Sequence, residues 1–424
     1  MKKKAVVPVA LLLASAWALS AAKDSCLECH TIMEGDIHRP AVLIKNDVHA
    51  SAGLSCVNCH GGNSQVDDPA ESMNRAKGFR GKIARTAIPQ MCASCHSDPD
   101  FMRKYRPQQR VDQFQLYQTS VHGKRLAAGD TKVATCIDCH SVHDIRAVKD
   151  AASPVHPLKV SDTCGHCHAD QAKMASYKIP TNQLAEYKTS VHWDALTKRG
   201  DLSAPNCASC HGNHGAKPPQ VQSVAEVCGS CHVLFEKNFD KSAHKPVFAS
   251  DSGGGGCMVC HSNHAIHKPS SAMLAGEKSV CAPCHENESP QGKTAVQLAQ
   301  WLNGLEAGLH KSDEVLAEAE KAGMEVSEAQ VKLIDGRENL VKARLALHTF
   351  QEGEIKKPVD AGMTIAKETL DAGRAALHEK DVRRYGLAVS VVFIGIAILA
   401  IWFLIRRIET GAGTGASHDM GSSV

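Results

Sequence analysis

The stretches CIDCHSVH (136–143), CASCHGNH (207–214) and CMVCHSNH (257–264) repeat one arrangement. Each has two cysteines three apart, a histidine directly after, and a second histidine three places further on. Two cysteines at that spacing on a tight turn reach the two vinyl groups of one porphyrin, and the adjacent histidine then lies under the iron. The spacing therefore reads as covalent attachment of haem c. The extra histidine is a candidate for the far side of an iron.

Working outward, the same CxxCH spacing occurs nine times and uses all 18 cysteines of the 424-residue chain. The thioether positions are Cys26 and Cys29, Cys56 and Cys59, Cys92 and Cys95, Cys136 and Cys139, Cys164 and Cys167, Cys207 and Cys210, Cys228 and Cys231, Cys257 and Cys260, and Cys281 and Cys284. The proximal iron ligands are His30, His60, His96, His140, His168, His211, His232, His261 and His285. Zinc sites usually pair two CxxC groups and do not need the following histidine. Disulfides need it no more. The expected cofactor is nine covalently attached haems c.

Low-spin iron with two axial histidines suits electron transfer, because ligation changes little between oxidation states. The sequence offers second histidines in a repeating unit: His122, His192 and His244 stand in SVH or SAH ahead of a motif, and His143, His214 and His264 follow one. Each unit of two motifs thus carries two spare histidines, which reads as three tandem dihaem modules at about 116–175, 186–236 and 238–288. The first three motifs are less regular. His49 and His38 are their candidate ligands, and His348 is another, with His156, His310 and His378 further off. His166 and His267 read as solvated side chains. Tyr117 and Tyr187 precede their SVH histidines at equal spacing, which points to a structural role.

Charge is nearly balanced at +3, so no basic surface for nucleic acid is expected. Aromatics make up 4%, thin for an ordinary core, and residues 23–288 lack long periodic apolar runs, so porphyrin is expected to fill the interior. Residues 1–22 have the basic start, apolar stretch and small residues of an export signal. From Gly386 to Ile405 runs an uncharged apolar segment long enough to span a bilayer. These ends place the haem part in the periplasm on the cytoplasmic membrane, with a short tail inside. The expected organisation is a signal peptide (1–22), an N-terminal trihaem region (23–115), the dihaem modules (116–288), a long-helix region (289–384), a transmembrane helix (385–406) and a cytoplasmic tail (407–424).

From about Thr294 the pattern becomes helical, with a capping-box signal at Ser327 and Gln330 and a helix start at Pro358. The fold class is mainly α with much irregular loop: a multihaem core, then a long helical hairpin or bundle, then one membrane helix. The helices are expected to form a wall against the haem core, with His348 reaching an iron.

The repeated SVH…CxxCHxxH…CxxCH pattern resembles doubled-CxxCH multihaem cytochromes c. GMEVSEAQVKLIDGRENLVKARLALHTFQ resembles the long helices that follow the haems in cytochrome c nitrite reductases and hydroxylamine oxidoreductases. All nine motifs here end in histidine, so the lysine-ligated catalytic haem of many nitrite reductases is not matched. The chain is also similar to c-type subunits of quinol-oxidising respiratory complexes. That resemblance implies a membrane quinol-oxidising partner, a b-type cytochrome or an iron–sulfur membrane complex, since the single membrane segment holds no histidine pair for a b haem. It also implies periplasmic c-type cytochromes as electron acceptors. The leading expectation is a nonahaem electron carrier in anaerobic respiration, with no catalytic residue assigned. The alternative is a nitrite- or hydroxylamine-type enzyme with one open iron.

Overall fold

The structure, a computed structural model, describes residues 23–217, 227–249 and 255–412. The expected signal peptide at 1–22 and the tail beyond Ala412 lie outside the described residues. The described part is helical with long irregular loops and contains no strand. It divides into two compact units: residues up to 219 with 264–266, and residues 220–263 with 267–424.

In the first unit, most attachment motifs lie on short helices of two alternating kinds. The first motif lies on α1 (Ser25–Ile32), capped by the Asp24 carboxylate. The second, fourth and sixth form single-turn helices, α2 (Cys56–His60), α4 (Cys136–His140) and α6 (Cys207–His211). Each starts with a capping box in which the residue before the second cysteine (Asn58, Asp138 or Ser209) accepts from the backbone N–H of the residue before the first. The third and fifth end longer helices, α3 (Ile88–His96) and α5 (Val160–His168).

The single-turn helices stop abruptly because the next residue is left-handed. Gly61, Ser141 and Gly212 have φ of 70°, 70° and 79°. A glycine is required at position 61, where a Cβ would come 2.1 Å from the Gly78 carbonyl oxygen. Ser141 bears the left-handed strain that only a minority of non-glycine residues adopt.

One relation ties successive repeats together. The valine of SVH donates its N–H to the carbonyl two residues beyond a later HxxH histidine: Val121 to Ala216 at 3.0 Å and Val191 to Ile266 at 2.8 Å. Val48 donates to Ile145 at 2.8 Å in the same way. The sequence DVH at 47–49 is therefore a fourth copy of SVH, with Asp47 in place of serine as the cap. The dihaem repeat that the sequence shows three times thus extends back to residue 47 and leaves the first motif outside it. Tyr117 and Tyr187 play equivalent parts, donating to Ala134 and Pro205 carbonyls at 2.8 Å each, which fixes the entry to the next motif.

The haem-bearing part has almost no apolar core of its own. In the first unit the one cluster of buried apolar residues is Ala195, Leu196 and Ala204 with Leu158 alongside. Meanwhile Val142, Val148 and Ile179 stand exposed. Several haems supply the missing interior in this reading.

The second unit is different. Its core is a three-helix bundle of α8 (Pro290–Lys321), α9 (Ser327–Ala346) and α10 (Glu352–Ala412). The helices pack through Leu305, Leu316, Leu333 and Ile355, all fully buried. Ser312 satisfies its buried hydroxyl by donating to the Ala366 carbonyl at 2.5 Å. Two local expectations are corrected. Ser327 does not form a capping box with Gln330, whose amide instead donates to Glu320 across the α8–α9 turn. Pro358 does not start the last helix; α10 begins a turn earlier, at Glu352. Pro358 therefore lies inside the helix, where it has no N–H to donate to the Glu354 carbonyl one turn back.

Beyond the bundle, α10 continues without a break through the apolar segment. It is the one helix among the described residues long and apolar enough to cross a membrane, with mean hydropathy 2.9. Nothing packs on that stretch; Phe393 and Phe403 are more than 60% exposed.

Candidate haem-binding sites

The chain folds its histidines into pairs at one spacing. His60 and His143 have ring centres 6.0 Å apart, His140 and His214 6.0 Å, and His211 and His264 6.1 Å, each pair within 23° of parallel. His49 and His96 lie 5.9 Å apart and His122 and His168 6.1 Å, with rings inclined. In the second unit His261 and His348 lie 6.0 Å apart, as do His244 and His285. Direct aromatic contact alone would leave such distances scattered over about 4.5–7 Å. Two imidazoles on opposite sides of one metal ion have nitrogens about 4 Å apart, given metal–nitrogen bonds of about 2 Å. Each ring centre lies about 1 Å behind its nitrogen, so the centres come out about 6 Å apart. Seven pairs at that distance fit seven irons.

Each pair joins one CxxCH histidine to one spare histidine. The sorting follows a rule that sequence spacing did not reveal. The HxxH histidines serve earlier motifs: His143 faces His60, His214 faces His140 and His264 faces His211. The histidines ahead of a motif serve the second motif of their own repeat: His49 faces His96, His122 faces His168 and His244 faces His285. His348, from the turn between α9 and α10, faces His261. His192 occupies the same helix-starting position as His122, after a serine cap.

Hydrogen bonds select the tautomer that leaves Nε2 free for iron, as outer partners of ligand histidines commonly do. The Nδ1 of His60 bonds to the Gly81 carbonyl at 2.9 Å, that of His211 to Lys217 at 3.3 Å and that of His348 to Arg344 at 3.1 Å. The Nδ1 of His49 bonds to the Asp47 carboxylate at 2.9 Å. Burial, reinforced by the facing imidazole, holds His96, His122, His140 and His261 below the usual histidine range. These rings are neutral at pH 7, as ligands must be.

The remaining histidines do not join the set. His156 is buried, but its Nδ1 accepts from the Leu158 N–H at 3.3 Å, so its proton sits on Nε2. His166 lies exposed beside Lys173, and His310 pairs with Glu314 on the bundle surface. His267 and His378 are exposed. His38 is treated below with the first motif.

None of the 18 cysteines is tied up in a disulfide, so every pair is available to a haem. They also show which motifs are neighbours. The pairs within electrostatic reach alternate between first and second cysteines: Cys26 with Cys56, Cys59 with Cys95, Cys92 hydrogen-bonded to Cys136, Cys139 with Cys167 and Cys164 hydrogen-bonded to Cys207. In the second unit Cys228 bonds Cys257, and Cys260 faces Cys281 and Cys284. Within each unit the motifs lie in space in the order of the sequence.

These features fit a protein that binds haem c covalently through cysteine pairs, with paired histidines at a spacing that suits an iron between them. Comparison with known proteins points the same way. The family described as Cytochrome c3 matches residues 48–169. The multihaem cytochrome MtrA of Shewanella baltica is 25% identical over 59% of this chain and 80% of that protein. The high-molecular-weight cytochrome c of Nitratidesulfovibrio vulgaris is 23% identical over 63% of this chain and 42% of its own length. The polyhaem cytochrome OmcB of Geobacter sulfurreducens is 21% identical over 51% of this chain and 26% of its own. The chain thus spans less than half the length of the last two. No solved structure matches it. The similarities support a multihaem c-type cytochrome.

Proposed function

We propose that this chain is a membrane-anchored, nine-haem electron-transfer protein of the periplasm. The observation that carries the reading is the run of seven histidine pairs at the spacing of a six-coordinate iron. Haem c supplies a one-electron redox centre, and a rigid pair of imidazoles keeps its geometry the same in both oxidation states. The chain's own part is to fix those imidazoles, exclude water from the metal and set neighbouring motifs in contact. The order of cysteine contacts supports one series over the first six motifs and another over the last three.

The three-helix bundle supports a spacer role. His348 stands at its haem-bearing end, and the apolar segment begins at Gly386 on the helix that starts at Glu352. At 1.5 Å per residue that length of helix is about 50 Å. The haems held by His261 and His285 would then stand well away from the bilayer. A quinol-oxidising membrane partner would have to reach that height or deliver electrons to the first unit. Periplasmic c-type cytochromes are the proposed acceptors.

The test is haem stoichiometry and a redox titration of the full-length protein. Nine haems per chain, titrating over a broad range without turnover of nitrite or hydroxylamine, supports the carrier. Steady reduction of either substrate would favour the enzyme reading instead.

A further inference from the structure

We propose that the iron at the first motif is held by His30 alone, leaving its sixth position open to a small lone-pair ligand from solvent. The proposal rests on the haem reading above and concerns one site within it.

His30 has the back-side bond of a ligand histidine, its Nδ1 lying 3.1 Å from the Ile37 carbonyl oxygen. Its Nε2 is thereby left for iron. Yet among the described residues no second histidine ring stands at the 6 Å spacing found for the other pairs. The competitor nearest in sequence is His38, and its position excludes it. His38 directly follows Ile37, whose carbonyl oxygen touches the rear of the His30 ring. A sixth ligand must approach from beyond Nε2, across the porphyrin plane. His38 leaves the chain next to the carbonyl behind the His30 ring, and no ring contact joins the two.

The sixth motif shows the same construction with its outcome visible. His211 is backed by the Lys217 carbonyl, and the histidine in that backing loop, His214, serves His140 rather than His211. The ligand facing His211 comes from a distant segment, at His264. Elsewhere in the first unit His49 faces His96, His122 faces His168, His156 carries its proton on Nε2, and His166 lies beside Lys173. The unbonded, buried Nδ1 of His38 does not decide the matter, since His244 has the same feature and is paired. The missing 6 Å partner of His30 and the Ile37 carbonyl behind its ring do.

The surroundings suit a small ligand. His30 lies near the surface, with Ile32 84% and Ile37 53% exposed beside it. Neutral diatomics and compact anions with a lone pair are the fitting class, and carbon monoxide and cyanide are the probes.

The experiment uses the purified, full-length, haem-loaded protein. Electron paramagnetic resonance of the oxidised state is expected to show a high-spin ferric centre at the first haem, converted to low-spin by cyanide. The reduced protein is expected to bind one carbon monoxide per chain. The His38→Ala variant should leave both results unchanged. The Cys26→Ala/Cys29→Ala variant should lose one haem and, with it, the high-spin centre. An all-low-spin spectrum, a high-spin centre that appears only in His38→Ala, or one that survives loss of the first haem would each overturn the proposal. A haem count other than nine in the unmutated protein would count instead against the broader reading.

Discussion

The imidazoles of His261 and His348 face each other at 6.0 Å and 15° from parallel, one from a haem-attachment motif and the other from the tip of a helical bundle. The pair joins two parts of the second unit that are built on different principles. Phe235 meets the His348 ring edge-on at 4.9 Å, and the Asn238 amide donates to the Leu345 carbonyl, so the ligand is clamped from both sides.

Replacing His348 with alanine should open the iron opposite His261 without unfolding the bundle. One further high-spin ferric centre per chain is the expected spectrum, with helix content unchanged by circular dichroism. His348→Met should keep that iron low-spin and raise its potential, since a Met/His pair lies higher than a bis-histidine one.

Asp47 binds two segments at once. Its carboxylate accepts from the ring and N–H of His49 and from the Ile145 N–H at 2.7 Å. Asp47→Ala should cost about 1–3 kcal/mol, the usual range for stranding buried donors, and should disturb the iron between His49 and His96. Denaturant titration with visible spectra would show both. Burial alone would raise the Asp47 carboxyl, but the bonds from His49 and Ile145 outweigh it and leave it below its usual value. Its contribution is therefore fully present above about pH 4, the ordinary aspartate value, and is lost as pH falls through the lower folded value.

Gly61→Ala should destabilise the second motif. With φ 70° and ψ −162° the backbone there is in a region essentially reserved for glycine and costs an alanine about 1–3 kcal/mol, and its Cβ would strike the Gly78 carbonyl. A lower melting temperature with poor incorporation of that haem is expected. Gly129→Ala gives the comparison, since φ is 94° there but nothing lies within 4 Å of the added carbon.

Leu305→Ala in the bundle should cost about 2–5 kcal/mol, as for other large-to-small core changes, because Leu305 is fully buried between helices. The loss should appear in thermal melts of the helical signal, while the first unit's histidine pairs keep their low-spin spectra.

The spacer reading predicts a distance. In lipid nanodiscs, electron microscopy of the holoprotein should show the haem density nearest the bundle about 50 Å above the disc, from the rise of an unbroken helix. Haem density resting on the disc would rule the spacer out.

Local chemistry made part of this protein legible from sequence. Cysteine and histidine spacing names candidate attachment sites because a thioether pair and its proximal ligand would be set within five consecutive residues. Helical periodicity located the bundle and the apolar helix for a similar reason, each being a property of one segment. Even so, Pro358 misplaced a helix start, because burial of Ile355 and Val359 in the bundle holds the helix through the proline.

Pairing of the irons was another matter. The sequence offered His143, His214 and His264 beside their own motifs, and only the fold sends each to an earlier one. It also made DVH at 47–49 look irregular, although Asp47 does the work of the serine caps and Val48 makes the same bond as Val121. A sixth ligand must approach across a porphyrin, from the side its neighbours in the chain do not occupy. That choice is made by contacts between segments distant in sequence, so tertiary structure alone decides it.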